Sequence, residues 1–195
     1  MRRDCNNRER ILEAAARQFH QRGFQATSLE DIIAASGVCR SNVYYHFRSK
    51  EELGLAVLDS LAERFATGVL QETLCNGRLP ARRRLERFIG LITEGLETGA
   101  YRRGCPFGNL AAELAGEHAK FRERLGGFFR RWEAALVGCL RDGIRGGEFR
   151  PDLDVDCVAT ALVGQFEGAV LLSKTYGHGG PVRAAQATLV LLESR

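Results

Sequence analysis

Between Ser36 and Phe47 the chain reads Ser-Gly-Val-Cys-Arg-Ser-Asn-Val-Tyr-Tyr-His-Phe. Helical spacing sends Val43 and Phe47, four apart, to one side and leaves Arg40, Ser41, Asn42, Tyr44 and Tyr45 around the other. These are side chains that read base edges: arginine donates to guanine, asparagine pairs with adenine, and serine serves base or phosphate. Tyr45, His46 and Lys50 fall at the far end, where phosphates would pass. Thr27 and Ser28, ahead of the preceding helix, add hydroxyls and a helix N-terminus of the kind that hold phosphate. The chemistry expected is recognition of double-stranded DNA, with phosphate contacts positioning the protein and base contacts specifying the sequence.

Catalytic and metal chemistry have weaker footing. His20, His46, His118 and His178 are scattered, and none has an evident cysteine partner, so nucleophile, base and orienting group are not assembled. Cys5, Cys39, Cys75, Cys105, Cys139 and Cys157 contain no CxxC pair and no histidine at ligand spacing, which argues against zinc and against a disulfide scaffold. No catalytic residue, metal ligand or cofactor is expected. Free thiols suit a reducing cytoplasm. No uninterrupted apolar run reaches the roughly 18 residues of a membrane span, and MRRDCNNRER lacks the apolar stretch of a signal peptide, so a cytoplasmic protein without membrane attachment is expected. A thiol enzyme and a helical adaptor for another protein are the rival classes; steeply salt-dependent DNA binding separates them from the DNA reading.

Presenting that polar face requires a helical frame. A first helix is predicted from about Asn7 to Gln21, with Ile11, Leu12, Ala15 and Phe19 on one stripe and Gly23 as its stop. Ser28 is placed to accept the Asp31 amide as an N-cap, with acidic residues in the positive first turn of a helix running to Ser36. Gly37 breaks that helix, a third spans about Cys39 to Tyr45, and Ser49 with Glu52 forms a capping box opening a fourth through Leu70. Two short helices about a glycine turn make a helix-turn-helix. Further helices are expected near 81–98, 106–115, 118–145, 154–174 and 182–193. Period-two alternation is missing, so the fold class is all-α, about nine helices, with a head at residues 1–50 and a body at 51–195. With 195 residues, 45% hydrophobic, the chain can bury a sizeable core; its net charge of +4 permits an acidic partner without requiring one.

Residues 7 to 55 resemble the N-terminal domain of the TetR family of bacterial repressors. The matching pieces are Arg10-Ile11-Leu12-Glu13-Ala14-Ala15, Phe19 to Gly23, Thr27-Ser28-Leu29 with Ile32-Ile33-Ala34, Ser36-Gly37-Val38, and Tyr44-Tyr45-His46-Phe47 leading into Lys50-Glu51-Glu52-Leu53. The resemblance implies a three-helix DNA-binding head, a linking fourth helix, and a body that binds a small-molecule inducer and forms a homodimer. Such a protein is usually a repressor released from a palindromic operator. Cys39 departs from the serine or threonine usual at that cap, and a thiol is a poor acceptor, so the cap should be weaker.

For the body, the family implies a dimer through the last two long helices, which carry Ala159, Val163, Phe166, Val170, Ala184, Ala187 and Leu191, with Gly164 and Gly168 allowing close approach. Phe107, Phe128, Trp132 and Phe166 are the candidate ligand-binding aromatics, although the same residues suit a plain core. No charged ligand partner is evident, which favours an uncharged or aromatic inducer. Cys105 lies after Arg102 and Arg103 and just before Pro106, which is placed to open a helix, and both arginines and a helix N-terminus favour thiolate. Gly-Cys-Pro-Phe-Gly-Asn-Leu segments occur in part of the family, where some cysteines sense electrophiles or oxidants. Cys105 is therefore a candidate for an electrophilic inducer or for thiol-based redox sensing, with simple packing as the alternative.

Overall fold

The computed structural model describes residues 2–99 and 101–193, with side chains from Asn7 onward; Cys5 lies outside the described side chains. Among the described residues there are nine α-helices and no strand: α1 Arg2–Arg22, α2 Leu29–Ser36, α3 Arg40–His46, α4 Lys50–Phe65, α5 Ala81–Thr98, α6 Pro106–Leu114, α7 Ala119–Arg145, α8 Val155–Tyr176 and α9 Gly180–Ala184. The all-α expectation holds. The chain forms two compact units, one of residues through Glu63 with Pro106–Gly126, the other of Arg64–Cys105 with the chain from Gly127.

The first unit contains more than the predicted head. Ile11, Ala14, Ala15 and Phe19 of α1, Ile32 of α2 and Val43 of α3 are buried, as their spacing requires. Leu53, Val57 and Leu58 of α4, Leu110 and Leu114 of α6, and Phe121 and Leu125 of α7 join the same unit's buried set. Phe24 explains why these elements belong together: its ring centroid lies 5.0 Å from that of Phe19 and 5.2 Å from that of Phe121. Gly54 permits this approach, since a Cβ there would sit 2.5 Å from the Phe24 ring and 2.9 Å from the Phe121 ring.

The second unit packs α5, most of α7, α8 and the C-terminal helices around Phe88, Ile89, Leu136, Leu140, Leu162 and Phe166. Its α5 starts after Pro80 without a local side-chain cap. Glu148 supplies one from a distance, accepting from the amides of Ala81 at 2.8 Å and Arg82 at 3.1 Å. The buried Arg84 is likewise satisfied, donating to the Leu79 carbonyl at 2.8 Å and to Asp142 at 2.6 Å.

Three elements differ from the sequence reading. The fourth helix stays α-helical to Phe65 and continues as a π turn, Ala66–Leu70, across the Thr67-Gly68-Val69 stretch, where β-branched residues and glycine weaken α-helix. The last helix divides into α9 and a 3-10 helix, Ala185–Leu192, whose three-residue turn brings both Leu189 and Leu192 to the buried side. Finally, α8 is long and apolar enough, by length and composition, to cross a membrane, although polar residues interrupt its apolar sequence. Its Ala159, Leu162, Val163, Phe166, Ala169, Val170 and Ser173 are buried in this unit. Leu171, Leu172 and Tyr176 of the same helix are exposed.

Candidate nucleic-acid interface

The helix-turn-helix is fixed by caps that the sequence encodes locally. Ser28 Oγ accepts from the Asp31 amide at 3.1 Å, while the Asp31 carboxylate accepts from the Ser28 amide at 2.8 Å and from its hydroxyl at 2.6 Å. These bonds, the hydroxyl first and the amide next, with Arg22 at 3.1 Å, hold the Asp31 carboxyl down to about 2. Gly37 closes α2 in the left-handed region at φ 62°, its N–H bonded to the Ile33 carbonyl. Arg10 of α1 donates to the Ser36 carbonyl at 2.9 Å and so braces the turn between α2 and α3.

The helix α3 anchors itself through Val43 and the following Phe47, both buried. The Arg8 guanidinium lies over the Phe47 ring at 5.5 Å. Arg40, Ser41, Tyr44 and Tyr45 are exposed and Asn42 is half-buried; Tyr44 and Tyr45 show 41% and 75% of their surface. Cys39 makes no side-chain cap, as a thiol should not. Its Sγ instead lies 3.4 Å from Ser41 Oγ, and that contact, followed by the Asn42 amide, draws the thiol below its ordinary value. Arg40 is paired with Glu30 of α2 at 2.5 Å, both groups exposed, so a guanine would have to take the guanidinium over from a carboxylate.

Three residues expected at phosphates are turned elsewhere. Thr27 is fully buried and its hydroxyl donates to the Gly23 carbonyl at 2.7 Å. Lys50 directs its ammonium at the carbonyls of Phe24 (3.1 Å), Gln25 (3.3 Å) and Thr27 (3.1 Å), and sits 4.6 Å from the centroid of the Phe24 ring. An ammonium has three N–H donors, so this lysine is engaged in holding the turn between α1 and α2. His46 is half-buried, its ring against Tyr45, and its Nε2 is buried without a hydrogen-bond partner among the described residues. Ser28 is exposed but already serves Asp31.

In the second unit, Phe128, Trp132 and Phe166 come together. The Trp132 ring lies 6.2 Å from Phe128 and 6.1 Å from Phe166, with Phe65 at 5.4 Å, Phe88 at 5.5 Å and Phe129 at 6.5 Å also around it. Phe107 is buried, and belongs to the first unit. Trp132 is buried, and its Nε1 has no acceptor among the described residues. Cys105 is half-buried against Ala169, Val170 and Val182 alongside Ile92 and Leu96, whereas Arg102 and Arg103 are exposed. The Cys105 thiol hydrogen-bonds the Glu167 carboxyl.

Residues 11–57 match the family described as bacterial regulatory proteins, tetR family, and residues 81–189 match the tetracyclin repressor-like C-terminal domain. The chain belongs to the TetR family. It is 29% identical over 178 residues to the transcriptional regulator AcuR of Cereibacter sphaeroides, covering 91% of this chain and 81% of that one. It is 30% identical over 175 residues to the HTH-type transcriptional repressor DhaR of Mycobacterium sp. (strain GP1), covering 90% and 86%. The crystal structure of regulatory protein TetR from Rhodobacter sphaeroides matches with a TM-score of 0.87 at 28% identity, over 93% of this chain and 95% of that one. This TetR-family chain is thus a DNA-binding transcriptional regulator.

In this TetR-family regulator, burial pushes the Glu167 carboxyl above its usual range, and the Cys105 hydrogen bond offsets that only in part. A raised carboxyl contributes stability that is fully present below its unfolded value and is lost as pH rises through the folded value. Glu167→Gln should therefore raise the thermal midpoint at pH 7.5, with the gain vanishing below about pH 4, where the native residue is protonated in both states. Thermal melts at both pH values check this; an equal effect at both would contradict it.

Proposed function

We propose that this regulator is a homodimeric repressor in the cytoplasm that leaves a palindromic operator when a small uncharged ligand bearing a hydrogen-bond acceptor binds the body. The observation that carries the reading is the exposed Arg40, Ser41, Tyr44 and Tyr45 face, with Asn42 beside it, on a helix braced by α1 and α2. Arg40 and Asn42 read guanine and adenine, Ser41 and Tyr44 extend the groove contact, and Tyr45 with the α2 N-terminus at Ser28 meets phosphates. Lys50, Thr27 and His46 position these groups. That DhaR is named a repressor supports the direction of control.

The partner for the exposed Leu171, Leu172, Tyr176, Val190 and Leu191 is a second copy of the chain, as the family membership supports. Two-fold symmetry then sets two recognition helices on half-sites about 34 to 36 Å apart, or a multiple of that. For the inducer, the buried Trp132 N–H among aromatic rings favours a carbonyl or similar acceptor on an apolar frame. The ligand shifts the balance between DNA-competent and released states by its differential affinity, on the order of 5 kcal/mol for a near-complete switch. Thiol sensing through Cys105 ranks behind this, because its thiol hydrogen-bonds the Glu167 carboxyl.

Incubation with a pool of genomic fragments tests the reading. The expected result is enrichment of a palindromic sequence whose affinity falls steeply with salt, with a log–log slope of about −5 or steeper for a dimer touching several phosphates. Failure to retain any sequence, or affinity independent of salt, would favour an adaptor or an enzyme instead.

A further inference from the structure

The turn between α1 and α2 is held from both sides by opposite charges. On one side, both oxygens of Glu113, in the last turn of α6, accept from consecutive backbone amides: Phe24 N–H at 2.8 Å and Gln25 N–H at 2.7 Å. On the other, the Lys50 ammonium donates to the carbonyls of Phe24, Gln25 and Thr27. Gly23 makes the arrangement possible, with φ +90° and a position where a Cβ would stand 3.2 Å from the Glu113 carboxylate. The Phe24 ring is clasped at the same time by Phe19, Phe121 and the Lys50 ammonium. Charge-assisted bonds to backbone amides are among the stronger ones, and they tolerate only a few tenths of an ångström before weakening.

We propose that Glu113 is the positioning residue through which α6 sets the DNA-binding state of the head. The turn it grips leads within three residues to Ser28, the N-cap of α2, and α2 carries Glu30, the partner of Arg40. When α6 is in place, α2 and α3 are held in the register that presents the reading face. A displacement of α6 beyond hydrogen-bonding range frees the Phe24 and Gln25 amides and removes the tie between α6 and the turn that leads into α2. The coupling is reciprocal: DNA that fixes the head must also fix α6. The proposal rests on the DNA-binding reading above and deepens it.

Hydrogen exchange of the full-length protein, with and without a duplex carrying the selected genomic sequence, tests it without knowledge of the inducer. In the native protein, DNA should slow exchange in α2 and α3, in the turn at residues 23–27, and in α6. In Glu113→Ala, DNA should still protect α2 and α3, bind about tenfold more weakly, and leave α6 exchange unchanged. Glu113→Gln, which retains the shape and one acceptor oxygen, should fall between, and it carries the same comparison if the alanine variant is poorly folded. Arg124→Ala, which breaks a separate tie from α7 to Asp59 of α4, should leave the α6 response intact. A DNA complex in which α6 protection is absent from the native protein, survives Glu113→Ala undiminished, or is lost equally in Arg124→Ala overturns the proposal and leaves the DNA reading standing. A native protein that forms no DNA complex overturns both.

Discussion

Leu171→Glu combined with Leu191→Glu should give a folded monomer whose operator affinity is at least about a hundredfold lower, the loss expected when two linked half-site contacts become independent. Both leucines are largely exposed in the single chain, at 62% and 69%, so the substitutions cost the protomer little. In a two-fold interface each is met again by symmetry, and four introduced carboxylates would be desolvated against apolar neighbours. Gly164 on the same helix has open space where a Cβ would be, which leaves room for close helix approach. Sedimentation of the variant and titration of the selected duplex read the two halves of the prediction. A variant that remains dimeric and binds as tightly as the native protein would place the interface elsewhere.

The second large effect is expected at Trp132. Removing its side chain as Trp132→Ala empties the space between Phe65, Phe88, Phe128 and Phe166 and should cost about 3–5 kcal/mol, read as a shift in the urea midpoint. Trp132→Phe should cost much less than truncation. It loses part of the ring volume, but it also removes a buried N–H without an acceptor, whose burial costs about 1–3 kcal/mol. The contrast bears on function too: Trp132→Phe should keep the fold and operator binding while weakening release by an acceptor-bearing ligand. Comparable destabilisation by phenylalanine and alanine would mean that the indole N–H is satisfied and carries no ligand role.

Features encoded within a few residues of each other were legible in the sequence. Ser28 with Asp31, Gly37 as the end of α2, and the inward Val43 and Phe47 that leave Arg40 to Tyr45 outward all follow from helical spacing and capping chemistry. The positioning groups were not, because their partners are distant along the chain. The Lys50 ammonium is held by carbonyls 23 to 26 residues away and Glu113 by amides 88 and 89 residues away. Sequence spacing alone ranks such a lysine as a phosphate contact and such a glutamate as a solvated charge. Thr27 misled in the opposite way, since its own turn absorbs the hydroxyl at Gly23. In the body, aromatic composition pointed to Phe128, Trp132 and Phe166, whose rings the structure brings together. Near Cys105, the hydrogen-bonded carboxyl of Glu167 comes from a helix about sixty residues on, which local spacing does not announce.

The central claim, that α3 reads bases while its surroundings only position it, is tested most directly by titrating native, Arg40→Ala and Asn42→Ala proteins against the selected duplex and against duplexes changed at single base pairs. Each variant should bind the native duplex about 5- to 150-fold more weakly, the equivalent of about 1–3 kcal/mol, and should become indifferent to the base pair at one position per half-site while still discriminating at the others. A uniform loss across every duplex, with all positional preferences intact, would show that these residues contact only the backbone and would contradict the account.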